Sequence, residues 1–459
     1  MSATLQQSLR DSKGARWTAL IIVSFMMLCG YYFTDVMAPL KGLLENQLHW
    51  TSSDFGLFTS GYGWFNVFLL MLIIGGIILD KMGVRFSGTM AAIFMVVGAC
   101  TKYWAVTTHM LDGYTLFGAK MQVLAAGLGF AIFGVGVEVA GITVSKVIVK
   151  WFKGKEMALA MGMEMAMARI GTGIAMFCPL PLANYFNKLS APILLGIVML
   201  CIGLIAFIVY TFQDRKIDKE IAAEVVKDED SFNIRDIVHI FTNRAWWLIA
   251  LLCVLFYSAV FPFLKFATDL MVQKFHVGLK FAGAIPSLLP FGTILLTPFF
   301  GNLYDRRGKG ASIMFLGSFM LICIHGLFSV PFLDFWWVAV FLILTLGVAF
   351  SLVPSAMWPS VPKIIPEKQL GTAYSMIFWV QNWGLMGVPY LIGKVLDSKY
   401  CLVNKTLIDG TVQKYDYTLP MLIFTSFGIL ALLFAYLLKR EDARKGYGLE
   451  LPNIQKQID

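Results

Sequence analysis

Charge is what this 459-residue chain has least of. Lys, Arg, Asp and Glu make up 14% of it against 58% hydrophobic residues, and the mean hydropathy is +0.72. Soluble domains are nearer half apolar and a quarter charged, so the two or three soluble domains that the length would permit are excluded. Paired cysteines are missing too. The seven cysteines show no CxxC spacing, and Cys29, Cys100, Cys178, Cys201, Cys253 and Cys323 fall in apolar runs. They read as small core residues, with no metal or disulfide framework. The Gly127-Leu-Gly129 pattern lies inside an apolar run with no strand before it, so it is no phosphate loop. Neither a cofactor nor a metal is expected, and the chain does not read as an enzyme. Met1 to Arg16 is polar, and the apolar run behind it has no small-residue cleavage site, so no cleaved signal peptide is expected. The net charge of +9 forms no compact stripe, which argues against nucleic acid.

What the chain has instead is long apolar runs. Pro192 to Phe212 reads PILLGIVMLCIGLIAFIVYTF, long enough to cross roughly 30 Å of hydrocarbon. Twelve spans are predicted near 17–40, 55–79, 86–108, 115–149, 156–183, 191–212, 244–270, 281–304, 311–331, 335–357, 370–394 and 417–438. The fold class is therefore an all-α membrane protein. Its expected domains are a six-helix bundle over 1–212, a charged cytoplasmic connector over 213–243 and a second bundle over 244–459. Basic residues crowd alternate gaps: Arg10, Lys13, Arg16; Lys81, Arg85; Lys150, Lys153, Lys155; Arg306, Arg307, Lys309; Lys439, Arg440. The other gaps hold fewer, among them Lys41, Lys188, Lys274 and Lys280. The excess of cations marks the cytoplasmic side and puts both termini there.

A repeat joins the two halves. Gly76-Ile-Ile-Leu-Asp80-Lys81-Met-Gly83-Val84-Arg85 follows the second span, and Gly301-Asn-Leu-Tyr-Asp305-Arg306-Arg307-Gly308-Lys309 follows the eighth. Both read G-x-x-x-D-[KR]-x-G. The first Gly lets helices approach, the Asp can face a helix N-terminus, and the second Gly allows a tight turn. On these two loops the chain resembles the major facilitator superfamily, with Lys81 for the usual Arg and Val84 for a basic residue. The resemblance implies two pseudo-symmetric six-helix bundles and transport by alternating access. It gives Asp80, Arg85, Asp305 and Arg306 a gating role. A narrower resemblance rests on Leu352-Val-Pro354-Ser-Ala-Met-Trp358-Pro359, Ile365-Pro366-Glu367, Leu370-Gly371-Thr372-Ala373-Tyr374, Gln381-Asn382-Trp-Gly384-Leu385 and Gly393-Lys-Val-Leu-Asp397. It is to the branch containing the lysosomal dipeptide uniporter, and it implies dipeptides or small peptides as substrate.

Charges deep in a span face a cavity or a partner. Arg169 lies thirteen residues into the fifth span, roughly 20 Å deep at ~1.5 Å per residue, and Glu138 in the fourth lies at a similar depth. Either they bridge each other structurally or they clamp a zwitterion, Arg169 gripping a carboxylate and Glu138 an ammonium. The peptide-carrying resemblance favours the clamp. Glu164 is expected off Arg169's face, paired with Lys146 or Lys150 at the mouth, or else serving in proton coupling, as Glu138 also could. Asp35, Lys265 and Asp269, at the outer ends of the first and seventh spans, are candidates for an outer gate or for snorkelling to the interface. His325 reads as a packing residue. Tyr31, Tyr62, Tyr257, Tyr374, Trp379, Gln381 and Asn382 complete the candidate binding set, with Tyr374, Phe378, Gln381 and Asn382 near one helical face.

Three readings compete: a peptide carrier, a proton-coupled carrier of organic anions or sugars held by Arg169 and Lys265, and a non-transporting, receptor-like member of the fold. The polar loop 395–416 is a candidate docking point for an accessory subunit. The sequon at Asn404 matters only in a secretory-pathway host. Neither tail carries an acidic dileucine signal, so a bacterial-type plasma membrane is expected ahead of a lysosomal one.

Overall fold

The computed structural model describes residues 12–152, 156–221, 234–366, 369–406 and 412–453, and these are almost entirely helical. The first half contains α1 (Lys13–Asp35), α2 (Lys41–Leu48), α3 (Ser52–Phe68), α4 (Met71–Thr107), α5 (Met121–Phe152), α6 (Met157–Phe177), α7 (Pro179–Phe186) and α8 (Ala191–Ile221). The second contains α9 (Ile234–Thr242), α10 (Arg244–Ser258), α11 (Phe261–Gln273), α12 (Leu279–Ala282), α13 (Ala284–Arg307), α14 (Gly310–Ser329), α15 (Trp336–Ile364), α16 (Leu370–Leu396) and α17 (Thr418–Lys445). Two small antiparallel hairpins, β1 (Thr115–Leu116) with β2 (Ala119–Lys120) and β3 (Leu402–Thr406) with β4 (Val412–Tyr415), sit in connections. The first replaces the start of the span predicted from 115, so α5 begins at Met121. α8 runs on past 212 into the predicted connector.

Chain direction in the first half follows from close contacts. Gly61 lies against Gly127, Gly75 against Val139, and Asp80 pairs with Lys146, so α3 and the start of α4 run parallel to α5. Further along α4, Gly98 lies against Gly129 and Phe133, while Gly136 of α5 meets Ala91 and Met95, so the order is reversed. The reversal falls at Gly83, whose φ of 77° is a region closed to most side chains. Thus residues 71–82 complete a span begun by α3, across a break at Leu70, and 84–107 form the next. Among the described residues nine helices are long and apolar enough to cross a membrane, ten if the pair bent by 45° at Cys178 counts as one. The division at Gly83 and the 27-residue α16 accommodate the expected twelve. The protein is a multi-pass, all-α integral membrane protein, and its helices are consistent with six spans in each half.

The bundles meet along α3 and α16. Gly56 would place a Cβ 2.5 Å from the Pro389 carbonyl, and a side chain at Gly63 would strike Met386. Asp397, the residue that ends α16, accepts from Ser52 N (3.1 Å) and Ser53 N (2.6 Å), capping α3 from the opposite half. The ion pairs Asp35–Lys265, Lys41–Asp269 and Lys414–Glu45 also cross between halves. All of these joints lie on the α2 side, away from the two signature loops. Lys41, expected as a loop cation, is instead 1% exposed and held by Glu45 and Asp269. The β4 end of the 395–416 loop lies over this seam, where Lys414 N and Tyr415 N donate to Gln273 and the Tyr415 hydroxyl to Glu45 (3.0 Å).

Not every cysteine is a core residue as expected: Cys100 and Cys323 are exposed. An apolar run is compatible with lipid on one face, so hydropathy alone could not tell core from lipid. His325 is fully buried, its Nε2 2.9 Å from the Ala259 carbonyl and its ring between Phe263 and Phe424.

Candidate functional site

Between the halves lies a cavity of about 350 Å³. α1 contributes Tyr31, Thr34 and Asp35; α3, Tyr62; α5, Glu138 and Ser145; α6, Glu164 and Arg169. The second half adds Tyr257 and Phe261, Lys265 of α11, Trp358 of α15 and Phe378 and Gln381 of α16. It extends from the Asp35–Lys265 pair, at its closed end, toward Ser145 and Glu164 on the loop side. The volume is in the lower part of the ~300–1,000 Å³ usual for small-molecule sites, and both halves supply walls.

Arg169 and Glu138 share this cavity but do not form an ion pair. The Arg169 guanidinium lies over Phe350 (4.8 Å to the ring centre) and Phe261 (5.9 Å), and no carboxylate is within 4 Å among the described residues. A guanidinium stacked on rings keeps its N–H edge free for a planar anion. Glu138 is oriented by Tyr62, whose hydroxyl donates to it at 2.7 Å, and Asn382 also approaches it. The carboxylate therefore keeps lone pairs for an ammonium. One cation and one anion, each positioned by neutral groups and not by the other, face a common space.

The other predicted residues divide. Tyr31, Tyr62, Tyr257 and Gln381 line the cavity. Tyr374 stands behind the wall, donating to the Trp358 carbonyl (3.1 Å), while the Trp358 indole donates to Tyr257 (3.0 Å). Trp379 turns away: its indole donates to the Val67 carbonyl (3.1 Å) at the seam between halves. Asn382 is buried beside Glu138, with its amide donating to Phe378 O at 3.0 Å. The face that α16 presents to the cavity is therefore Phe378, Gln381, Leu385 and Pro389.

Glu164 requires a correction. It lines the cavity with Arg169 and interacts with it electrostatically, while Lys146 pairs with Asp80 (2.7 Å) and Lys150 with Asp214 (2.8 Å). A single angle around α6 assumes a narrow contact stripe, whereas a cavity wall is wide enough to take residues five apart. Asp80 thus bonds within its own half, Arg85 is near Asp214 (3.6 Å), and Asp305 accepts from Asn453 (2.8 Å). Arg306 is exposed at the end of α13. Lys265 donates to Asp35 and to the Thr34 carbonyl (2.8 Å), so its charge is engaged.

Sequence reasoning missed Phe261, Phe350 and Thr34, because aromatic and hydroxyl residues in apolar runs carry no outward sign of which face they occupy. It also missed Lys102, buried in α4.

A pair of inward-facing helical bundles with a closed end, a central cavity and matched loops is the architecture of a secondary transporter. A model of the Major Facilitator Superfamily matches residues 9–389, and the chain belongs to that family; it is a transporter. Its relatives include the lysosomal dipeptide transporter MFSD1 of Mus musculus, 28% identical over 412 residues, 86% of this chain and 83% of the relative. The protein of the same name from Homo sapiens is 26% identical over 399 residues, covering 84% and 80%. Among solved structures, a bacterial homologue of the human lysosomal transporter Spinster, inward-facing and unoccupied, superposes with a TM-score of 0.70 at 12% identity, covering 97% of this chain and 100% of that one. The D-xylose-proton symporter gives 0.69 at 13%, covering 92% and 97%, and tetrameric PepTSo2 0.62 at 14%, covering 94% and 100%. At these identities the structures share the fold alone.

Proposed function

We propose that this protein carries dipeptides, or peptides of similar size, by alternating access, with Arg169 binding the carboxylate and Glu138 the ammonium of one zwitterion. The observation that carries the reading is the unpaired state of these two groups across one cavity. A charge at membrane depth costs several kcal/mol unless a partner is supplied, and a zwitterion supplies both partners at once. Tyr31, Tyr257 and Gln381 then face the peptide backbone and side chains, as a site tolerant of varied residues needs. The curated relatives named as dipeptide transporters support the same substrate class.

An anion or sugar carrier is less well supported. Lys265, the second cation that reading needs, is engaged by Asp35 and Thr34. The signature-loop side is assigned to the cytoplasm by its excess of basic residues. In that frame Asp80, Arg85, Asp305 and Arg306 form the inner latch, and Asp35–Lys265 with Lys41–Asp269 the outer one. The relatives are named for the lysosome, so the preference for a bacterial-type plasma membrane rests on the tails alone.

A thermal-shift panel on the purified protein tests the substrate class. Dipeptides are expected to raise the melting temperature with saturation, while single amino acids, sugars and organic acids shift it little. A shift from sugars or organic anions, with none from dipeptides, would remove the peptide reading.

A further inference from the structure

Two lysines converge on the same helix end. α1 stops at Asp35, and the last carbonyls of a helix lack partners within it and carry its negative pole. Lys265, from the second half, donates to the Thr34 carbonyl and to the Asp35 carboxylate. Lys102, from the first half, donates to the Phe33 carbonyl at 3.3 Å. The ring of Phe130 lies 4.4 Å from the Lys102 ammonium and 5.7 Å from that of Lys265. Lys102 is otherwise enclosed by Phe33 (4.0 Å), Phe58 (5.5 Å) and Phe133 (6.0 Å), fully buried, with no carboxylate within 4 Å among the described residues. Three N–H donors therefore have one oxygen acceptor and a cage of ring faces. Aromatic faces hold a cation without fixing its direction.

Alternating access makes this arrangement consequential. When the α2 side opens, Lys265 departs with its half and leaves Asp35 and the Thr34 carbonyl without their cation. A carboxylate stranded there would oppose opening. Lys102 stays with α1 because α4 and α1 belong to the same half, and a four-carbon stem lets its ammonium swing from Phe33 O toward Asp35. We propose that Lys102 is a positioning residue that takes over Asp35 when Lys265 withdraws, so that one anion is matched by a cation in both states of the cycle. This rests on the gating role given above to Asp35–Lys265. The four rings hold the ammonium while Lys265 occupies the site and keep the two like charges apart.

The test is a double-mutant cycle on Lys102 and Asp35 in liposomes. Lys102→Met puts an apolar side chain of similar length into an apolar cage, so the fold is expected to persist, checked by thermal melting. Dipeptide affinity should stay within twofold while the transport rate drops at least tenfold. Asp35→Asn removes the charge that needs a partner, so Asp35→Asn with Lys102→Met should transport at the rate of Asp35→Asn alone. Parental rates in Lys102→Met would overturn the proposal. So would a double variant slowed, relative to Asp35→Asn, by the same factor as Lys102→Met alone, since that marks a merely structural lysine. If the parent moves no dipeptide, the substrate reading fails, and the same four proteins are compared by spin-label distances between Lys188→Cys and Lys399→Cys. The handover then requires the long-distance fraction to fall in Lys102→Met and to be equal in the two Asp35→Asn proteins. Equal fractions in all four would overturn it.

Discussion

Arg169→Gln and Glu138→Gln separate the two ends of the bound substrate. In the empty protein Arg169 has no ion pair within 4 Å to lose among the described residues, but its contacts with Phe350 and Phe261, worth about 0.5–2 kcal/mol together, and a longer-range attraction to Glu164. Its removal should therefore lower stability only slightly. Its effect on binding should be larger, because a substrate carboxylate is then left unpaired in a partly dry cavity. Truncating one partner of a buried charged pair costs about 2–5 kcal/mol, hence roughly 30-fold in affinity at the lower bound. The same figure applies to Glu138→Gln and the substrate ammonium, with Tyr62 and Asn382 still able to hold the glutamine. Titration calorimetry with end-blocked peptides gives the assignment. An N-acetylated dipeptide should bind the parent weakly, and Glu138→Gln should discriminate least against it. An amidated dipeptide should stand in that relation to Arg169→Gln. If both variants bind free dipeptides as tightly as the parent, the charges are structural and the clamp is refuted.

Other perturbations follow from the gates and the coupling group. Asp80→Asn removes an exposed pair with Lys146 worth at most about 1 kcal/mol, so affinity should change less than twofold while uptake slows; unchanged uptake would reduce the loop to a connector. Gly56→Ala sets a Cβ against the Pro389 carbonyl, which should prevent the α2 side from closing and cut transport at least tenfold, with spin-label distances on that side lengthened. Asp397→Ala deprives α3 of its cap from the other half, weakening the closed state by about 1 kcal/mol, seen as a shift of the same distances. Glu164 has no hydrogen bond or ion pair among the described residues and is assigned any coupled proton. Adding peptide to liposomes with a trapped pH dye should acidify the lumen with the parent and not with Glu164→Gln; uptake without acidification assigns uniport.

The fold was legible where covalent geometry speaks through sequence. Gly83 and Gly308 follow an Asp and cations at matching places, and both adopt positive φ. Counting residues from a basic end put Arg169 and Glu138 at one level, and both line the cavity. Direction around a helix was not legible. Glu164 was set aside on an angle, Trp379 was included on its chemistry, and which of them faces the cavity depends on the tilt and bends imposed by neighbours. Long-range partners were the least accessible. Lys41 meets Asp269, 228 positions away, only because α2 folds over the seam between halves. Lys102, near the predicted end of its span, was not singled out at all, yet four rings enclose it.

The most direct measurement is uptake of a labelled dipeptide by liposomes containing the parent protein, Arg169→Gln or Glu138→Gln. Saturable uptake by the parent is expected, competed by unlabelled dipeptides and not by xylose or free amino acids, and reduced at least tenfold at low peptide concentration in either variant. No uptake by the parent, or uptake competed equally by sugars, would contradict a peptide carrier built on this pair of charges.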